Sequence, residues 1–457
     1  MTNKLKFCFL FFLIVGLATV RGQYTAFQTY CQHWFLSDPV AYSQAEQSND
    51  LIDDQLTIGF YPETAVHYHR NATQSIGYVT INNQGINPTR NALPQGVFVK
   101  DMEQNEFSDM VYFCGTQWNM VGIIGHFKVN SDGTIGNLYY QLVPETTTLT
   151  KLVSFTPQNP QIVAYGIDAV SGGYDLIIAD MTISIGSIYQ VAPLNHNSVP
   201  FDIVCTDDYV AIISCNSNND NLYIRRLLRN NLSDNIRDYV YEYPVNDTMQ
   251  SGPIVTFLGC KYLKNNENLI AVVYMTQSTS QWSTALKTFD LATMNMTGSQ
   301  RHDMYEKNDI VGITYLTGKN KLVVMEYFEP SYTIQQTSAV FMLPFNTTNY
   351  TADIFHTFDK NSFYSIDRLY GSGFTVNHFV AGNSYMTGNA LWVQTPNKDY
   401  NNNCIEETII DITLENPVDY KAFDNPINPI QHVQSLVAVS HTTEYLSVGY
   451  ECKYIGQ

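Results

Sequence analysis

A pair of apolar, β-rich runs split by a polar turn returns along this chain about every 50 residues, and that recurrence limits the fold more than any other feature. One copy is Phe201-Asp-Ile-Val-Cys-Thr-Asp-Asp-Tyr-Val-Ala-Ile-Ile-Ser-Cys215, and another runs from Asp309 to Phe328 around Thr317-Gly-Lys-Asn320. A marker in the second strand of each pair falls at Val111, Ile162, Val210, Ile270, Leu322, Phe374 and Leu446. The spacings are 51, 48, 60, 52, 52 and 72 residues, and the last contains the polar insertion Pro396 to Asn403. The first six pairs are followed by further strand-like runs, such as Tyr174 to Ala179, Leu222 to Arg225, Thr284 to Phe289, Ala339 to Leu343 and Ala390 to Gln394. Four strands per repeat at this period predict an all-β chain, a β-propeller of seven four-stranded blades.

The ends of the pattern predict how the ring closes. The last pair, Leu436 to Val439 with Tyr445 to Tyr450, has no outer strands after it. The runs Leu56 to Phe60, Ala65 to His69 and Ile76 to Ile81 precede the first marked pair. Pairing these N-terminal strands with the C-terminal hairpin, in one sheet, would remove both exposed edges of an open array. The alternative for so many short strands is two β-sandwiches, which the regular period and the two unfinished ends disfavour. The domain reading is therefore a leader over 1–22, an irregular segment over 23–55 and one propeller over 56–457.

The leader is read from Lys4 and Lys6 ahead of the apolar run Phe7 to Ala18, with Val20-Arg21-Gly22 before Gln23. This is a signal-peptide pattern, and its run of roughly 12 apolar residues falls short of the roughly 20 that a membrane span needs. No Cys follows the cleavage position, so no lipid anchor is expected, and the predicted location is secreted or periplasmic. Loss of the leader removes Lys4, Lys6 and Arg21 and no acid, taking the formal charge from -18 to -21. A field of that sign disfavours nucleic acid and anionic membranes as partners. No cofactor motif and no metal cassette is present: Asn216 to Asn221 lacks the glycine and the distal glutamate of a calcium loop, and His67-Tyr-His69 has no third ligand at readable spacing. Seven cysteines remain after the leader. Of these, Cys205 and Cys260 occupy matching turns of neighbouring repeats, which predicts a disulfide between them.

Phe98-Val-Lys-Asp-Met-Glu-Gln-Asn-Glu-Phe-Ser-Asp-Met-Val-Tyr-Phe-Cys-Gly-Thr116, followed by Gly122-Ile-Ile-Gly-His-Phe127, resembles the first-blade segment of uncharacterised secreted propeller-like proteins of Bacteroidetes. The resemblance covers about 30 residues. It implies a bacterial, exported propeller, and it brings no activity and no catalytic residues.

No nucleophile elbow, zinc helix or phosphate loop occurs. The adjacent acids Asp207-Asp208 and Glu406-Glu407 read as solvated turns. Strand direction is more informative. In a meander of strands a to d, all b-to-c loops leave the ring at one end. Here those loops carry Trp118, Trp282, Tyr332 and Tyr385. Aromatics gathered on one rim suit sugar stacking or a protein anchor; folding over the parent blade is the competing use. With 32 Tyr but only 4 Trp in the chain, the two Trp discriminate better. The preferred function is a secreted, non-catalytic module that binds a glycan or protein ligand on this end. The alternative is a carbohydrate-active hydrolase or lyase whose acids are scattered over several blades.

Overall fold

A computed structural model describes strands between residues 34 and 445, and most side chains between residues 66 and 301 and between 414 and 443, with gaps in the connections. Among the described residues, all regular structure is antiparallel β, arranged as a propeller in seven sheets. Numbered along the chain, sheet 1 holds Gln55–Phe60, Thr64–Asn71, Ile76–Asn83 and Thr89–Ala92, and sheet 2 holds Val97–Gln104, Met110–Gln117, Val121–Val129 and Ile135–Val143. Sheet 3 holds Thr146–Phe155, Gln161–Asp168, Tyr174–Asp180 and Ser187–Pro193; sheet 4 holds Ser198–Cys205, Tyr209–Asn216, Asn221–Leu228 and Arg237–Glu242. Sheet 5 holds Ile254–Tyr262, Leu269–Gln277, Trp282–Asp290 and Met296–Met304, and sheet 6 begins at Asn308–Leu316 and ends at Thr351–Thr357. Sheet 7 holds Asn361–Leu369, Asn377–Ser384 and Ala390–Thr395, and its fourth strand is Trp34–Asp38. The first, inner strands of sheets 2 to 7 pack on one another in succession.

The apolar runs of the second strands follow from burial on both faces. In sheet 2, Val111 and Phe113 enter the core shared with sheet 1, while Tyr112 and Cys114 enter the core shared with sheet 3. In sheet 4, Val210 and Ile212 face sheet 3, while Ala211 and Ile213 face sheet 5. Side chains alternate across a strand, so a run such as Val-Ala-Ile-Ile supplies two cores at once. Each large side chain buried there contributes about 1.5–3 kcal/mol at most.

Every inner strand from sheet 2 to sheet 7 carries a register shift at the same place, as at Val99/Asp101, Leu149/Lys151 and Pro200/Asp202. A bulge bends a strand and re-aims the next side chain. Here it turns carboxylates onto the neighbouring inner strand. Asp101 accepts a hydrogen bond from the Leu152 N–H at 3.0 Å, and Asp202 accepts one from the Cys260 N–H at 2.5 Å. Lys151 Nζ lies 3.5 Å from Asp101. Burial pushes the Asp101 carboxyl up, against the opposing pull of that ammonium.

The C-terminal region departs from the sequence expectation. Val437–Val439 pairs with Ile135–Val143 of sheet 2, and Thr442–Tyr445 pairs with Thr89–Ala92 of sheet 1, so they form no hairpin with each other. They end a belt. Ile405–Ile409, Ile412–Leu414, Tyr420–Asp424 and Ile430–Gln434 add a fifth, outer strand to sheets 6, 5, 4 and 3 in that order. Sheet 1 does join the 442–445 strand to the N-terminal runs, but with its own four strands already present. Its fourth strand escaped notice because Thr89-Arg-Asn-Ala92 is polar. Asn91 donates to the Val79 carbonyl at 3.2 Å and accepts from Thr443 Oγ1 at 2.7 Å, and Arg90 lies over the Tyr78 ring at 5.4 Å. Trp34–Asp38 falls in the segment expected to be irregular, and it pairs with Ala390–Thr395. The markers Phe374 and Leu446 lie outside the described residues.

Cys205 and Cys260 are separate thiols, not a disulfide. Strand alternation is the reason. Cys260 is buried between sheets 4 and 5 beside Val204, whereas Cys205, one residue on, packs toward sheet 3 with Ile203 and Val210. Cys205 Sγ donates to the Thr206 carbonyl at 3.3 Å. Each thiol leaves the face of its own sheet that is turned to the preceding sheet, so Cys205 points away from Cys260 and the two cannot bridge.

Candidate functional site

The connections between second and third strands leave the same end of the propeller as those joining one sheet to the next, and on sheets 1 to 3 they are bonded into one surface. The Gly96 N–H donates to the Ser75 carbonyl at 2.9 Å, and the Trp118 N–H donates to the Gly96 carbonyl at 2.7 Å. Thr116 Oγ1 donates to the Thr147 carbonyl at 2.8 Å, and the Ala169 N–H donates to the Glu145 carbonyl at 2.8 Å. The turn bearing Trp118 and the turn bearing Val170 therefore flank the same short connection between sheets 2 and 3.

Trp118 and Asn119 both have left-handed backbones, with φ of 53° and 55°. Two such residues in succession match the twist of a tight hairpin, a place suited to Asn and Gly. A bulky aromatic there is an outlier costing roughly 1–2 kcal/mol. The indole lies against Gly96, where an added Cβ would meet its ring at 2.2 Å, yet 48% of Trp118 remains exposed. Both uses weighed from the sequence thus apply to one side chain: one part of it packs locally and the rest meets solvent. Beside it Met120 is 72% exposed, and across the connection Val170 is 95% exposed.

The other aromatics add less. Trp282 is the first residue of its strand, paired with Gln277 and Met304, and its side chain is outside the described residues, as are those of His67 and His69. Tyr332 and Tyr385 also lie outside the described residues.

Sequence reasoning missed a group of acids on this surface. Asp168, at the end of a strand of sheet 3, accepts from the Val170 N–H at 2.9 Å and from the Ser171 N–H, which hold its carboxyl below the ordinary range. Asp175 is buried and hydrogen-bonded to Asp168; desolvation, the Asp168 charge and Glu145 push it up to about 7. In this pair of carboxyls Asp168 loses its proton first and Asp175 later, as pH rises. Glu145 accepts from Tyr189 Oη at 2.9 Å and lies 2.9 Å from His432 Nδ1 on the belt, whose ring stacks on Tyr189 at 5.2 Å. Together with His432 these acids come from three segments of the chain, around 145, 168–175 and 432, so no local motif announces the group. The pair that was noticed, Asp207-Asp208, has named partners at the opposite end: Tyr262 Oη donates to Asp207 at 2.9 Å and Asn268 Nδ2 donates to Asp208 at 2.8 Å.

No protein-family model matches the sequence, and no curated protein matches it. Among solved structures, the chain is similar to the Nup133 β-propeller domain of Vanderwaltozyma polyspora, with 10% identity and a TM-score of 0.42 over 75% of this chain and 94% of that one.

Proposed function

We propose that this chain is an exported, non-catalytic binding protein that presents its ligand site on the b-to-c end of a seven-bladed propeller. Trp118 carries the reading: a tryptophan held in a strained turn, braced from behind by Gly96 and left half exposed. Backbone strain persists where the surrounding structure enforces it, and it gathers at functional positions. A closed ring is supported by the packing of Gln55–Phe60 against the inner strands of both sheet 2 and sheet 7. Closure would then come from Trp34–Asp38 in sheet 7. Export rests on the leader pattern.

The acids favour binding over glycoside hydrolysis. Hydrolysis needs two carboxyl groups about 5–9.5 Å apart across an open sugar site. Asp168 and Asp175 instead bond to each other, and Asp175 is only 4% exposed.

The test is a glycan array and a set of immobilised peptides probed with wild type and Trp118→Ala. Removing a binding hot-spot aromatic costs on the order of 2 kcal/mol of binding, about thirty-fold in affinity, with a loss of folding stability of no more than about 1 kcal/mol. Undiminished binding by the Trp118→Ala protein would refute the proposal.

A further inference from the structure

From the surface around Trp118 we infer a partner class: a cationic polypeptide segment with apolar side chains, bound across the junction of sheets 2 and 3. The inference rests on the binding reading above and narrows it. Three exposed apolar side chains, Trp118, Met120 and Val170, project from the two turns that flank the Val143 to Thr147 connection. On the belt strand of sheet 3, Ile430 is 66% exposed and pairs with Val191, which places it on the face turned to sheet 2. Apolar groups exposed together in this way mark an interaction site more than scattered ones do. Trp is the commonest anchor at protein interfaces, and the unbranched thioether of Met adapts to varied contacts.

Charge selects the partner. The connections 117–120, 144–145 and 168–173 contain Asp168 and Glu145 and no Lys or Arg. The one basic group held at Glu145 is His432, which is charged only when protonated. The whole chain has 42 acidic against 24 basic side chains. Apolar prongs set among carboxylates in such a field attract a segment that offers cations between apolar residues. A neutral saccharide would stack on Trp118 and donate hydroxyls to the acids, but it would gain nothing from the net charge or from Val170.

The experiment titrates the intact protein with a synthetic peptide of alternating Lys and Leu, with its Glu-for-Lys counterpart, and with neutral oligosaccharides, each at low and high salt. The Lys peptide should bind, with at least a tenfold loss between 0.05 and 0.5 M salt, roughly as expected when several charges contribute. Trp118→Ala and Val170→Lys should each weaken it about tenfold or more. Ala292→Lys, an exposed position at the opposite end, should change it less than twofold. Equal weakening by Ala292→Lys and Val170→Lys would mean bulk charge attraction and would overturn the inference. So would equal binding of the Glu peptide. Saccharide binding that depends on Trp118 but not on Val170 or salt would overturn the partner class while leaving the binding face in place. Failure of every probe to depend on Trp118 would overturn both.

Discussion

The two ends of this propeller treat their surfaces in opposite ways. At the end formed by a-to-b and c-to-d turns, neighbouring sheets are laced together by polar groups. Thr206 Oγ1 donates to Asn268 Oδ1 at 2.8 Å, Arg226 Nη1 donates to the Leu291 and Ala292 carbonyls at 2.7 and 3.0 Å, and Tyr241 Oη donates to the Met294 carbonyl at 2.6 Å. The large apolar residues described there, such as Leu291 and Met294, are buried. At the other end Trp118, Met120, Val170 and Val199 are exposed, and among the described residues the remaining exposed large apolar side chains lie on the belt. One end joins its sheets mainly through side chains, and the other does so mainly through backbone groups and leaves large apolar side chains in solvent. The contrast separates stability from recognition within one repeat.

The comparison breaks first if Asn268 is expendable. Asn268 holds Thr206 and Asp208 of the adjacent sheet and has a left-handed backbone, with φ of 56°. Asn268→Ala should cost about 3 kcal/mol, measured by urea denaturation, and leave ligand binding unchanged. A loss below about 1 kcal/mol would remove the structural role assigned to that end.

At the open end, Gly96→Ala should cost about 2 kcal/mol. Gly96 has φ of +81°, and a Cβ would run into the indole, so the near-ultraviolet circular dichroism should change as Trp118 is displaced. Unaltered dichroism would mean the ring is not braced as described.

The pH response sharpens the picture of the acids. The raised Asp175 contributes stability that is present below the ordinary carboxylate range and lost as pH climbs toward about 7. Folded protein binds the extra proton in that window, so stability falls with rising pH, by on the order of 2 kcal/mol for a coupled pair. Asp175→Asn should flatten this slope between pH 4 and 7 in thermal melts. An unchanged slope would place the titration elsewhere.

The smallest effect is expected for Trp118→Ala on folding, about 0.5–1 kcal/mol, since lost packing on Gly96 is offset by relief of a strained backbone. A loss above about 2 kcal/mol would make Trp118 a core residue and erase the difference between the ends.

Local sequence carried the repeat because burial on both faces writes itself into every second strand as a continuous apolar run, and because turn residues separate the strands. The b-to-c loops followed from strand direction alone, and Trp118 was found that way. Three features depended on side chains or strands meeting across the fold. The C-terminal segment reads as a last blade because Val-Ala-Val and Tyr-Leu-Ser-Val look like any other strand pair; only the open outer edges of sheets 6 to 1 decide that it becomes a belt. Cys205 and Cys260 lie near the same turn of neighbouring repeats, but in the assembled sheets each points to the preceding sheet, so one thiol faces away from the other. Asp168, Asp175, Glu145 and His432 acquire their protonation and contacts from a junction of three chain segments. Periodicity records which residues are buried, a local property repeated in each sheet. Which buried or edge groups become neighbours is a property of the assembled sheets.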